Sequence, residues 1–364
     1  MKKLTILLAL LLCLTACAAP VSPEEPSTVP TTVTTTATAA TEATTVPTAT
    51  TVTTTVTTTV TTTAPTTTVP TTAPTTAPPP KEYPMFLDEN YAGGIVHTNT
   101  ANSFLDIPFS YSGENPVWRY TQEGSRYNLG REGEFSQPAE GVIQYKDPAK
   151  LLWVDTNTGM FKMDILGSVE YPDEPRKSGE KFPGALMSPI EMREQVFVTQ
   201  AEHIYIYLDF TLDEVELLLD WDTNLDVGLH TAQWNYYVFV QDSKSNAWFY
   251  VGLPLYDWRT AFGGGQQKDY ISTDPGTGGT FVFIPSVAKV FGEGNNVKVG
   301  ERFTVKVDLM PYILEGFDLR FSEKNLDDFY ISGCNLGWEL PGTFDCRATV
   351  YDFNMTYVPK EEKA

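Results

Sequence analysis

The chain has 364 residues, 41% of them hydrophobic and 20% charged, and 46 acids against 25 bases give a formal net charge of -21. A surface of that sign repels nucleic acid and anionic lipid, so both are excluded as partners, and strongly polyanionic substrates are disfavoured.

The first twenty residues, "MKKLTILLALLLCLTACAAP", set Lys2 and Lys3 before an apolar run from Leu4 to Leu14 and end in small residues. This is the pattern of a secretory signal. Eleven apolar residues rise only about 16 Å as a helix, short of the roughly 30 Å of a bilayer core, so the segment targets and does not span. Leu14-Thr15-Ala16-Cys17 resembles the lipobox of bacterial lipoproteins. That resemblance implies a signal peptide over residues 1–16, lipid attachment at Cys17, and an extracytoplasmic protein held at the cell membrane by its acyl chains and exposed at the cell surface. No other membrane contact is expected.

Residues 21 to 80 hold 29 Thr and 10 Pro. Such a composition cannot bury a core, so residues 17–80 read as a stalk that reaches on the order of 190 Å if extended. Its composition resembles the linkers on surface proteins of polysaccharide-degrading anaerobic bacteria.

Residues 81–364 carry all seven Trp and all 18 Tyr, and without Lys2, Lys3, Glu24, Glu25 and Glu42 they keep 43 acids against 23 bases. Their pattern is mostly of period two. "RFTVKVDL" puts Phe303, Val305, Val307 and Leu309 on one face of a strand. "HIYIYLDF" and "WNYYVFVQD" carry apolar or aromatic residues on both faces, as strands covered on two sides do. Turn signals separate the strands: "DTNTG" at 155–159, "DSKSN" at 242–246, "GEGNN" at 292–296 and "PGT" at 341–343. Helix is expected only over Thr211–Leu219, where Thr211 and Glu214 have capping-box spacing, and in a short piece around Pro285–Phe291. The expectation is an all-β, two-sheet sandwich with few short helices, as one large domain over 81–364 or two smaller sandwiches split near 170–184.

In strand number, size and aromatic content this part resembles the concanavalin A-like jelly-roll superfamily of lectins, glucanases and polysaccharide lyases. The closing "GWELPGTFDCRATVYDFNMTYV" looks like the last hairpin of such domains, with Cys334 and Cys346 as candidates for a disulfide across it. A two-residue loop there would set Cys334 opposite Thr349, so the bond is left open.

Chemistry-bearing patterns are sparse. The Glu-x-Asp-x-x-Glu strand motif of the laminarinase and lichenase branch is absent, although Asp220 and Asp222 share one strand face. Arg176, Gln195, His230, Gln233, Tyr237 and Arg259 are residue types a lyase uses, but the Gln-x-His and Arg-Glu-Leu-Arg-like motifs of the alginate lyase branch are missing. His97 reads as part of a polar loop, His203 as a strand entry and His230 as a cap before a strand. Neither zinc spacing nor a Gly-x-Ser-x-Gly elbow occurs, and "FGGGQQKD" at 262–269 lacks the residues of a phosphate loop.

Sugars need less: an aromatic ring for the C–H face and planar polar groups for the hydroxyls. Trp118, Gln122 and Tyr127 in one segment, His230, Gln233 and Tyr237 in a second, Asp257 and Arg259 in a third, and Arg176 are the ligand-binding candidates. Asp257 and Arg259 also suit a structural ion pair, and large aromatics in sandwiches are more often core. Asp220, Asp222, Asn224 and Asp226 stand at positions one, three, five and seven of an EF-hand-type loop. Leu225 replaces its Gly and Thr231 its final Glu, so only a looser calcium site, and calcium as sole cofactor candidate, is expected there. The expected function is a stalked sandwich that binds a neutral or weakly charged polysaccharide or cell-surface glycan. The alternatives are a glycoside hydrolase or lyase with an unrecognised site, and a protein-interaction module.

Overall fold

Alternating apolar and polar residues build 18 strands in the computed structural model, which describes residues 80–99, 107–109, 116–220, 223–260, 266–274 and 280–361. The signal segment with Cys17, the stalk up to residue 79, Trp221, Asp222 and residues 262–265 of the glycine-rich loop lie outside the described residues.

The strands are β1 (Tyr83–Pro84), β2 (Ile95–Asn99), β3 (Ile107–Phe109), β4 (Trp118–Glu123), β5 (Glu134–Ala139), β6 (Val142–Lys146), β7 (Lys150–Asp155), β8 (Met160–Leu166) and β9 (Gly184–Pro189). They continue as β10 (Val196–Phe197), β11 (Ala201–Leu217), β12 (Gln233–Asp242), β13 (Trp248–Asp257), β14 (Tyr270–Asp274), β15 (Thr280–Ile284), β16 (Arg302–Asp308), β17 (Phe329–Glu339) and β18 (Phe344–Pro359). One sheet has eight strands in the order β16-β11-β18-β8-β7-β6-β5, with β1 beside β18. The other has ten, β14-β15-β13-β12-β17-β9-β4-β2-β3, with β10 beside β17.

The two-sheet, all-β architecture expected from the alternation is the one found. β8 pairs with β18 and β4 with β9, so strands on either side of 170–184 meet in both sheets and the chain does not divide there.

β12 shows how the period of two positions the molecule. Trp234, Tyr236, Val238 and Val240 join the core between the sheets, while Tyr237 and Phe239 on its other face join a second apolar cluster with Tyr250, Val282 and Ile284. In the core the rings of Trp234 and Trp338 lie 4.9 Å apart, edge to face. Trp338 donates its indole N–H to the Met163 carbonyl of the opposite sheet at 3.2 Å.

Four expectations are corrected. Residues 211–217 are not helical: they continue β11, whose Thr211 and Leu212 pair with Thr349 and Ala348 of β18. β-branched Thr211 and Val215 gain more from two flanking strands than the capping-box spacing offers an isolated turn. The closing segment is not a hairpin. β17 and β18 lie in different sheets, joined by an arch at Pro341–Gly342 that lets Trp338 and Phe344 enter one core from opposite sides. Cys334 and Cys346 therefore face the core from different sheets as buried thiols, unbonded, and burial pushes both thiols up. His97 sits not in a loop but in β2, 1% exposed, where burial pulls it down to about 3.

The short helix expected near Pro285–Phe291 is present as Val287–Phe291, and a 12-residue helix at Met310–Phe321 was not expected. Its buried Met310, Ile313, Gly316 and Phe317 follow the three-and-four spacing of a helix that covers a sheet.

Candidate functional site

Because Trp338 points inward, its neighbour Glu339 points to the outer face of the ten-stranded sheet. Pairing registers then set five residues in one row across five strands: Glu123 on β4, Gly184 on β9, Glu339 on β17, Gln233 on β12 and Asp257 on β13. The next outward-facing row includes Thr121, Leu186, Gly337 and Asn235.

Glu339 is 3% exposed, and one side-chain bond to it is present: Asn235 donates from Nδ2 to its Oε2 at 2.8 Å. Burial above all, then the charges of Glu123 and Asp274, pushes its carboxyl up to about 8, against the pull of the Asn235 bond. Asp257 is satisfied in contrast. It accepts from Thr231 Oγ1 and Gln233 Nε2, both at 2.8 Å, and from Arg259, whose Nη2 lies 2.6 Å from its Oδ2. The structural ion pair weighed for Asp257 and Arg259 is thus formed.

A cavity of about 620 Å³ opens on this face, lined by Gln233, Asn235, Asp257 and Arg259, by Tyr270, and by a wall at 226–229. Gln233 Oε1 and, in the same sheet, Asn335 Oδ1 are buried acceptors with no partner, on residues 5% and 3% exposed. A buried polar atom left without a bond costs roughly 1–3 kcal/mol. The Gln233 acceptor stands next in the row to the Glu339 carboxyl, and Asn335 lies further along β17 opposite Tyr237.

The wall is stapled to the 174–182 loop. Arg176 donates from Nε to the Glu180 carbonyl at 2.9 Å and from Nη1 to the Leu229 carbonyl at 3.2 Å. Its guanidinium lies 5.2 Å from the Phe182 ring centre. His230 accepts from the Asp226 amide at Nδ1, 3.1 Å, and so donates from Nε2 to the Arg176 carbonyl, 2.9 Å. Arg176 and His230 shape the wall from behind it.

The other candidates fall elsewhere. The alternation of β4 turns Trp118 and Gln122 to the core, both 1% exposed, and not to a ligand face. Gln122 accepts from the Leu129 amide and donates to Asn128, fixing the turn after β4. Tyr127 lends its carbonyl to Lys150 at 2.8 Å, away from the cavity. Tyr237 is 8% exposed and packs beside Tyr250 at 5.7 Å. Within the acidic stretch, Asp220 accepts from Thr223 Oγ1, Asn224 donates from Nδ2 to the same Thr223 oxygen, and Asp226 accepts from the Gly228 amide. Among the described residues no three His, Cys, Asp or Glu side chains converge as a metal site, and Asp222 lies outside them.

Glu339, Asn235, Asn335 and Glu123 carry no motif, and reading the sequence missed them. The signal available was a lone Glu between Trp338 and Leu340, which alternation aims away from the core.

No protein-family model matches the chain, and no curated protein matches it. Solved structures of family 12 glycoside hydrolases show a distant likeness. A metagenome-derived family 12 endoglucanase is 10% identical over 67% of this chain and 99% of its own, with a TM-score of 0.37. The endoglucanase Cel12A from Rhodothermus marinus is 10% identical over 63% and 97%, TM-score 0.35. The family 12 xyloglucanase from Bacillus licheniformis is 8% identical over 62% and 99%, TM-score 0.35.

Proposed function

We propose that the outer face of the ten-stranded sheet binds a neutral polysaccharide, held away from the cell membrane by the Thr- and Pro-rich stalk and a lipid on Cys17. The observation that carries this reading is the set of polar groups on this face with bonds still to make, of which Gln233 lines the cavity. Gln233 Oε1 and Asn335 Oδ1 need donors. Glu339, pushed up to about 8, keeps its proton at neutral pH and is itself a donor. A sugar hydroxyl donates and accepts at once, so a row of hydroxyls answers both needs. Tyr270, half-buried, lines the same cavity and offers apolar area for a sugar's C–H face. The carboxylates of Glu123, Asp257 and Asp274 nearby count against uronate-rich polymers.

The test is binding of the purified protein to an array of cellulose oligosaccharides, xylan, mannan, mixed-linkage glucan, starch and a uronate polymer, followed by calorimetry on the hits. At least one neutral glycan is expected to bind, and Gln233→Leu, which removes the orphan acceptor, to weaken it by about tenfold or more. Silence across the neutral glycans, or a Gln233→Leu protein that binds as well as the parent, overturns the reading.

A further inference from the structure

We infer that this face also cleaves the glycan it holds, by an inverting hydrolysis in which Glu339 is the acid and Glu123 the base, across the bare strip at Gly184. The inference rests on the glycan-binding reading and adds a reaction to it.

The geometry comes from the row of registers. Glu123 and Glu339 both pair with Gly184, one from each side, so their backbones are two strand spacings apart. Strands lie about 4.7–4.9 Å apart, which sets carboxyls rising straight off the sheet roughly 9.5 Å from each other. That separation is at the upper end of the roughly 6.5–9.5 Å at which inverting pairs admit both a sugar and a water, and well beyond the 5–5.5 Å of a retaining pair. The residue between them has no side chain. A Cβ built on Gly184 would meet a single atom within 4 Å, the Trp338 carbonyl oxygen at 3.6 Å, so no side chain fills the gap between the two carboxyls. On the far side of Glu339 stands an amide, Asn235, and not a second carboxylate. The buried, unpartnered Gln233 Oε1 is next in the row beyond Glu339 and lines the cavity, which adjoins the row on that side.

The two carboxyls differ as the roles require. Because Asn235 donates to Oε2 of Glu339, that oxygen is the acceptor and the proton sits on Oε1. Burial keeps that proton in place. Glu123 is half-buried and reached by solvent, which suits the group that activates water. In the reaction the bond from the anomeric carbon to the glycosidic oxygen breaks, and its electron pair leaves with the oxygen, which takes the proton from Glu339 Oε1. A water attacks the anomeric carbon from the opposite face and gives its proton to Glu123. One water is consumed, the sugar leaves with inverted configuration, and proton exchange with solvent resets both groups. No oxidant, reductant or metal takes part.

The experiment incubates the purified protein with each array polysaccharide in ¹⁸O-labelled water. Mass spectrometry reads new reducing ends, and proton NMR reads the anomer first formed. Expected are labelled oligosaccharides of inverted configuration, and about 10²–10⁴-fold slower release by Glu339→Gln and by Glu123→Gln at saturating glycan, with binding measured separately by calorimetry. Retained configuration, or an unchanged rate in Glu123→Gln, overturns the pair. Binding without any new reducing end overturns the inference and leaves the binding reading intact. Absence of binding removes both, and the array distinguishes that case.

Discussion

Glu339 and Glu170 are buried alike, 3% and 4% exposed, yet their surroundings are opposite. Glu170 accepts from Ser125 Oγ at 2.5 Å and from the Arg126 amide at 2.7 Å, with Lys150 Nζ 3.4 Å away. Lys150 also meets Asp147 at 3.0 Å and the Tyr127 carbonyl at 2.8 Å. That network ties the turn after β4 to β7 and to the 167–170 helical turn, and every member has partners. Glu339 has the Asn235 amide and, as its main electrostatic neighbours, further acids. Burial costs a carboxyl the same in both places, and donors decide what becomes of it. Where a buried acid serves the fold, the chain surrounds it with N–H and O–H groups. Where it is left short of them, burial and the acids around it hold its proton on.

The largest effect separates the two at once. Lys150→Met leaves Asp147 and Glu170 buried without their cation, and removal of one partner from a buried charge network costs about 3–5 kcal/mol. Urea unfolding at pH 7 should show a loss of that size. A loss below about 1 kcal/mol would mean that the network holds little, and the contrast with Glu339 would fall.

Glu339 should respond to pH. Its usual value of 4.5 rises to about 8 in the folded chain, so between those values the folded protein keeps a proton that the unfolded chain releases. Unfolding then gives up a proton, and stability falls as pH rises across that window, at most about 1.4 kcal/mol per unit, and levels off above it. From pH 5 to 7.5 this carboxyl should take on the order of 2–3 kcal/mol from the unfolding free energy. Glu339→Gln, which cannot ionise, should flatten that part of the curve. An unchanged slope in the Gln variant would show that Glu339 is ionised in the folded state.

The sheets were legible because their alternation is strong: Phe303, Val305 and Val307 face one way and Lys306 the other, and β16 forms there. The helix expected at 211–219 failed because local capping spacing says nothing of the two strands waiting on either side. Part of the cavity lining was legible too. Gln233, Asp257 and Arg259 reach the cavity from "HTAQWNYY" and "LYDWRT". Glu339 and Asn235 were not, since what makes them a pair is a register between strands a hundred residues apart, and a sequence of one chain carries no register at that range. The same ignorance of sheet membership put Cys334 and Cys346 across a hairpin, when the arch at Pro341–Gly342 sends their strands to opposite sheets.

The smallest effect tests the donor that Glu339 does have. Asn235→Ala deletes the 2.8 Å bond to Oε2. At pH 6 the folded carboxyl is protonated, and loss of a bond between neutral groups should cost about 1 kcal/mol. At pH 8.5 the parent carboxyl carries charge, and the same bond is charge-assisted and roughly twice as strong, so the cost should rise to about 2 kcal/mol. The sign follows from the direction of the Asn235 contribution: it holds the carboxyl down, so its removal drives Glu339 higher still and carries the loss of stability to a higher pH than in the parent. Unfolding of both proteins at the two pH values reads the difference. A gap that stays constant would mean that Asn235 does not feel the charge on Glu339, and that the proton is held by burial and by the acids around it alone.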